Sequence, residues 1–144
     1  MMKTPLSLLA LVLFLPFAAQ AEQAQKFDDV EIHYNALSTI DLTPEIARNY
    51  KLTRSKSRGL LTISVLKKNS MGASYPVPAE VKVNAITVYN QLVSVDMREI
   101  KEGSAIYYLG EYGIVLPETL KFNISVKPEG SAKSHSFEYQ QSFY

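Results

Sequence analysis

The chain has 144 residues, no cysteine, no tryptophan, and fifteen basic residues against fourteen acidic ones. That length suits one domain whose core can stand on packing alone, and the lack of thiols excludes a disulfide framework, a thiolate metal centre and a cysteine-linked lipid anchor. The near-neutral balance argues against a nucleic-acid binder.

The N-terminus opens with Lys3, then an apolar run from Leu6 to Phe17 broken only by Ser7 and Pro16, then Ala19-Gln20-Ala21. This is the pattern of a secretory signal peptide over residues 1–21, with cleavage before Glu22. The run is short for a bilayer span and no second one follows, so the expectation is one domain over 22–144 with no membrane span, periplasmic or secreted. Without Lys3 the exported chain is formally neutral.

From residue 27 onward the dominant period is two. In FDDVEIHYNAL, Val30, Ile32 and Tyr34 alternate with Asp29, Glu31 and His33, which predicts a half-buried strand. LLTISVL (60–66) is apolar on both parities, as a central strand should be. EVKVNAITVYN (80–90) alternates through Val81, Val83 and Ala85, then slips to Ile86 and Val88, which predicts a bulge near Ala85. QLVSVDMREI (91–100) sets Val93, Val95 and Met97 on one face. SAIYYLGEY (104–112), TLKFNISV (119–126) and SHSFEYQQSFY (134–144) complete seven strands. Turn residues between them point to an all-β, two-sheet sandwich of the immunoglobulin or fibronectin type III kind. An eight-stranded outer-membrane barrel fits the length but not the strand number or the polar parity of Glu138, Gln140 and Ser142. The expected core is Val93, Val95, Leu120, Phe122, Ile124 and Phe137.

One helix interrupts the β pattern, between the first and second predicted strands. Thr43 can cap it, Pro44 suits its first position and Glu45 its first turn, while Ile46, Ala47 and Tyr50 share a face. So short a helix must pack on the sheets. Ile46 and Tyr50 are therefore expected to seal one open end of the sandwich.

The residues that carry chemistry are few. There is no nucleophile elbow, and Ser134 and Ser136 beside His135 point to the opposite face from it, so no catalytic residue is assigned and the chain reads as a non-enzyme. His33 and His135 are the only imidazoles; with Met71 or Met97 they could make a copper site only if the fold joined the first and last strands. No metal ligand or cofactor is assigned. Tyr107 and Tyr108 must face opposite sides of their strand, so one joins the core. The feature that stands out is a basic connector, Arg48, Lys51, Arg54, Lys56 and Arg58, with five cations in eleven residues. It reads as a candidate site for an anionic envelope component or protein partner, or as a solvated loop whose stems cover apolar surface. If exposed, Arg54, Lys56 and Arg58 could be reversed to Glu with little effect on folding.

Leu116-Pro117-Glu118-Thr119-Leu120-Lys121-Phe122 resembles the corner that leads into the penultimate strand of fibronectin-type and immunoglobulin-like domains, with Phe122 where that corner carries tyrosine. HYNALSTIDLTPEIARNY, RSKSRGLLTISVLKK, REIKEGSAIYYLG and the closing QSFY together resemble a family of small exported proteins of Gram-negative bacteria that is catalogued as a domain of unknown function. The resemblance implies a periplasmic or secreted single domain and supplies no site residues. The functional expectation is a non-enzymatic periplasmic interaction or accessory domain, with a small-ligand or copper carrier as the alternative.

Overall fold

A computed structural model describes residues 23–144; the expected signal peptide lies outside them. Among the described residues ten strands form two antiparallel sheets. They are β1 (Gln23–Phe27), β2 (Val30–Ser38), β3 (Arg58–Lys68), β4 (Ser74–Pro76), β5 (Ala79–Thr87), β6 (Leu92–Ser94), β7 (Asp96–Glu102), β8 (Ala105–Gly113), β9 (Glu118–Pro128) and β10 (His135–Phe143). The larger sheet runs β1-β2-β3-β8-β7, with β4 joining β3 where β8 has ended; the smaller runs β10-β9-β5-β6. The all-β sandwich is as expected, with ten strands in place of seven.

The three extra strands have separate causes. β1 has no apolar period, and its backbone pairs with β2 from Gln23↔Tyr34 to Phe27↔Val30 through a turn with Asp28 at φ 51°. β4 is three residues held on the end of β3. The segment 91–100 divides at Val95: β6 pairs with β5 in one sheet, and β7 pairs with β8 in the other. Val93, Val95 and Met97 still share the core because the chain crosses between sheets without reversing direction.

The bulge expected at Ala85 does not form. β5 pairs without interruption from Ala79↔Pro128 to Thr87↔Leu120. The inward parity continues to Thr87, whose hydroxyl accepts the N–H groups of Tyr89 (3.3 Å) and Gln91 (3.1 Å), so a polar side chain is buried at no hydrogen-bonding loss. Ile86 and Val88 face outward instead.

Between the sheets Phe122, Ile32, Leu61, Ile63, Leu120, Ile124, Val65 and Val126 are fully buried. Val95 is buried as well, while Val93 and Phe137 are half-buried against this core. Tyr108 joins the core and Tyr107 faces out. The Tyr112 ring lies over its cross-strand neighbour Gly59, where a β-carbon would collide with it. The same ring packs edge-on to Phe122 (5.0 Å) and Phe143 (5.9 Å), joining the two sheets.

Helix α1 (Pro44–Asn49) forms as its signals require, with the Thr43 hydroxyl accepting from the Ile46 N–H at 3.2 Å. It does not seal an end of the sandwich. Ala47 and Leu52 pack on Leu60 and Leu109, which point away from the core on the outer face of the larger sheet. The reason is parity: β3 and β8 are apolar on both faces, so the outer one needs cover. Ile46 remains 43% exposed.

Replacing Phe122 by Ala should cost about 3–5 kcal/mol in a denaturant melt, and Leu109→Ala about 2–4 kcal/mol, whereas Ile46→Ala should cost less than about 1 kcal/mol. A large loss at Ile46 with a small one at Leu109 would place the helix elsewhere.

Candidate functional site

The strand register collects four chain segments at one end of the sandwich. Ser38 pairs with Gly59, Arg58 with Gly113, Thr87 with Leu120 and Glu118 with Phe143. The connector 39–57, the turn 88–91, the link 114–117 and Tyr144 therefore share this end. Two of them are in direct contact, since the Ile114 N–H donates to the Ser57 carbonyl at 2.8 Å.

Apolar side chains stand in water here. Val88 is 65% exposed, Tyr89 83%, Val115 80% and Tyr144 95%. With Leu116 and Pro117 they flank a cavity of about 360 Å³, floored by Thr87, Thr119 and Phe143. Local geometry fixes the display. Thr87 and Asn90 close the turn, with Asn90 at φ 60°, leaving Val88 and Tyr89 at its tip. Ile114 turns into the core, and Glu118 accepts the Val115 N–H at 2.9 Å, so the next two side chains point out. Clustered exposed apolar groups of this kind mark interaction surfaces. Sequence patterning missed these residues, although apolar side chains at turn positions, Val88-Tyr89 before Asn90 and Val115-Leu116 before Pro117, carried the signal.

The basic connector divides into structural and exposed members. Thr39, wholly buried, clips the connector's two ends: its hydroxyl donates toward the Ser55 and Arg58 carbonyls (3.1 and 3.2 Å) and accepts from the Ser55 N–H (2.9 Å). Arg54 reaches back to the carbonyls of Leu42 (2.7 Å) and Ile40 (3.1 Å). Arg58 pairs with Glu111 at 3.2 Å across the sheet. Arg54 is thus a clamp, and its reversal to Glu would not be neutral, as exposure alone would have it. Arg48, Lys51 and Lys56 are exposed. Lys51 adopts φ 55° in a Schellman ending of α1, where the Leu52 N–H meets the Ala47 carbonyl (2.7 Å) and the Lys51 N–H meets that of Arg48 (3.2 Å).

On the outer face a shallower groove of about 220 Å³ runs between α1 and Tyr107. Tyr50 closes it, donating to Glu102 at 2.6 Å and accepting from Arg98 at its carbonyl. That hydrogen bond to Glu102, with some desolvation, raises the Tyr50 pKa above the usual phenol value. The histidines are not brought together. His33 lies on the outer face of the larger sheet beside Glu31 (2.8 Å), whereas His135 is buried at the inner side, stacked on Phe27 at 4.7 Å. Met97 packs on Gly110 in the core and Met71 lies in an exposed loop. No cluster of three or more His, Cys, Asp or Glu that could hold a metal ion occurs among the described residues.

A family model described as a domain of unknown function, DUF4426, matches residues 24–144. The chain belongs to the DUF4426 family. A DUF4426 protein of Pseudomonas aeruginosa PAO1, solved by crystallography at 2.09 Å, is 30% identical, with a TM-score of 0.73 over 88% of this chain and 97% of that one. Copper-bound FetP of uropathogenic Escherichia coli, an engineered variant, is similar at 13% identity and a TM-score of 0.60, over 85% of this chain and 95% of that one. A second FetP structure, the protein as isolated, gives 12% and 0.59. At that identity the FetP likeness shows a shared fold. Comparison with curated proteins gave no match. Among the described residues of this DUF4426 chain no helix is long and apolar enough to cross a membrane.

Removing the Arg54 clamp (Arg54→Ala) should cost about 1–3 kcal/mol, since two carbonyls lose a charged donor, whereas Lys56→Ala should stay within about 0.5 kcal/mol of wild type. Lys51→Gly should stabilise by about 0.5–1 kcal/mol by relieving the left-handed conformation. Thermal or urea melts of the three variants measure this; equal losses for Arg54→Ala and Lys56→Ala would contradict the division.

Proposed function

We propose that this DUF4426 chain is a non-enzymatic interaction domain of the cell envelope, periplasmic or secreted after removal of residues 1–21, which docks through the end that carries the connector. The observation that carries the reading is the cluster of Val88, Tyr89, Val115, Leu116 and Tyr144 around one cavity. Leaving that much apolar surface in water is unfavourable unless a partner covers it. The basic connector opens at the same end, where Lys56 and its neighbours offer an anionic partner a cationic complement. The non-enzymatic reading is supported by the cavity wall: its one acidic side chain, Glu118, is taken up by the Val115 N–H.

The alternative, a copper or small-ligand carrier, draws on the fold shared with copper-bound FetP. The residues of this chain do not fit a copper centre. Its two imidazoles lie on opposite sides of the larger sheet, one methionine is packed on Gly110 and the other is in a loop.

Two measurements test these readings. A photoreactive amino acid at position 89 should give a specific adduct on irradiation of cells, while the same probe at the exposed loop position 71 should not; equal labelling at both would remove the docking end. Excess copper should leave the melting temperature of the exported protein unchanged within about 1 °C, whereas a bound metal at a hundred times its Kd would add about 2.7 kcal/mol and several degrees.

A further inference from the structure

We infer that β10 is an acceptor edge for one extended peptide segment of another protein, which pairs beside it as a further strand of the smaller sheet. This surface lies on the side of the sandwich and goes beyond the reading above, which concerns its end. The first observation is how unequally the free edges are protected. Among the described residues the larger sheet ends on β1 and β7 and the smaller on β10 and β6. β6 is three residues long, and β1 is five, with Lys26 among them. Five of the seven residues of β7 are charged, and its Arg98 and Glu102 hold Tyr50 of the connector against it. Short edges and charged edges resist pairing with a foreign strand. β10 has neither defence. Its nine residues pair with β9 from His135↔Val126 to Phe143↔Glu118 without a bulge, and Glu138 is the one Asp, Glu, Lys or Arg among them. Such an edge carries a row of backbone donors and acceptors on its outer side, and another extended backbone is what matches that row.

The second observation is the space beside that edge. Tyr34 of β2 meets the rings of Phe137 and Tyr139 at 4.9 Å each, which sets β2 above β10. β1 is the next strand outward, so it reaches past β10 and roofs the place that a further strand would take. Exposure follows this arrangement. On β2 the inward Ile32, Tyr34 and Ala36 are buried, whereas on β1 the inward Gln25 and Phe27 are half-buried and Gln23 is exposed. A slot one strand wide under a roof admits an extended segment. A second sandwich arriving edge-on would bring its own β1 against this one, so the occupant is a peptide segment rather than another copy of the chain.

The third is the side-chain lining of the slot. One end is aromatic, with Phe27 stacked on His135 and 6.2 Å from Phe137. The other end is lined by amides: Gln141 accepts from the Tyr139 hydroxyl at 2.5 Å, and Gln25 donates to that of Tyr34 at 3.4 Å. The segment that fits is therefore of period two, with apolar inward residues beside Phe27 and a hydrogen-bonding one near Gln141. Backbone pairing supplies its affinity and the alternate side chains its selectivity.

The test pans a phage-displayed library of random peptides of about ten residues on immobilised protein spanning residues 22–144, then follows amide hydrogen exchange with the most enriched peptide added. Enriched peptides should alternate apolar and polar residues, and the bound one should slow exchange in residues 135–143 at least about tenfold. Gln141→Lys turns a charge inward on the edge and should weaken binding at least about tenfold, while Lys82→Ala on the outer face of the same sheet should bind like wild type. A melting curve checks the fold of each variant, and the exchange map of the wild type stands without them. No enriched peptide, protection confined to other strands, or undiminished binding by a folded Gln141→Lys variant overturns the assignment. Sedimentation of the protein alone as a dimer that Gln141→Lys dissolves gives the edge to a second copy and overturns the peptide occupant as well. An adduct from the probe at position 89 concerns the end of the sandwich alone, so the two readings fail separately.

Discussion

The ring of Tyr112 over Gly59 sets what the rest of the molecule can do. Only glycine on β3 admits that ring, and only with the ring in place do Phe122 and Phe143 of the smaller sheet find an edge-on partner in the larger one. The contact fills the core at the connector end. Its hydroxyl is buried without a hydrogen-bond partner among the described residues, and burial drives its pKa far above the usual phenol range. Packing outweighs that polar loss here: the ring meets two others, whereas an unmade hydroxyl bond costs about 1–3 kcal/mol. Beyond these rings Val115, Leu116 and the tip of the β5–β6 turn stand around the cavity, held in that display by the hydrogen bonds of Glu118 and Thr87.

The same constraint explains why the helix lies where it does. An end already closed by aromatic rings needs no plug, while Leu60 and Leu109 on the outer face of the larger sheet do need cover. The connector supplies it and then returns to its starting point through Thr39 and Arg54, whose bonds to backbone carbonyls hold the loop shut. Two basic residues of the connector are thus consumed by architecture, Arg54 in the loop and Arg58 on Glu111. The cations left over, Arg48, Lys51 and Lys56, stand exposed.

The two-period was legible wherever one face of a strand is buried and the other wet. Val30, Ile32 and Tyr34, and later Leu120, Phe122 and Ile124, declared their strands and their core faces. The helix was legible from Thr43 and Pro44, because capping is local chemistry. Three things were not. β1 is held by backbone pairing that its polar side chains do not report, and the crossing at Val95 keeps the same side-chain parity in both sheets. Thr87 looked like the end of a pattern because burial of a threonine depends on a turn that satisfies its hydroxyl. The apolar end proposed for docking was hidden for another reason. Basic residues announce themselves in sequence, whereas the exposure of Val88, Tyr89 and Val115 is set by the turns that Thr87, Asn90 and Glu118 hold. Of the candidate cations, the difference between a clamp (Arg54) and a charge with no ion pair among the described residues (Lys56) lies in carbonyls twelve and more residues away.

The proposed docking role turns on which end of the sandwich meets a partner. The most direct measurement is the amide spectrum of isotope-labelled protein spanning residues 22–144, recorded while solubilised cell-envelope extract is added. Signals from residues 88–91, 114–118 and 144 should broaden first, with those of 69–73 and 129–134 at the opposite end staying sharp. Broadening that begins at the opposite end, or spreads evenly over both, would contradict it.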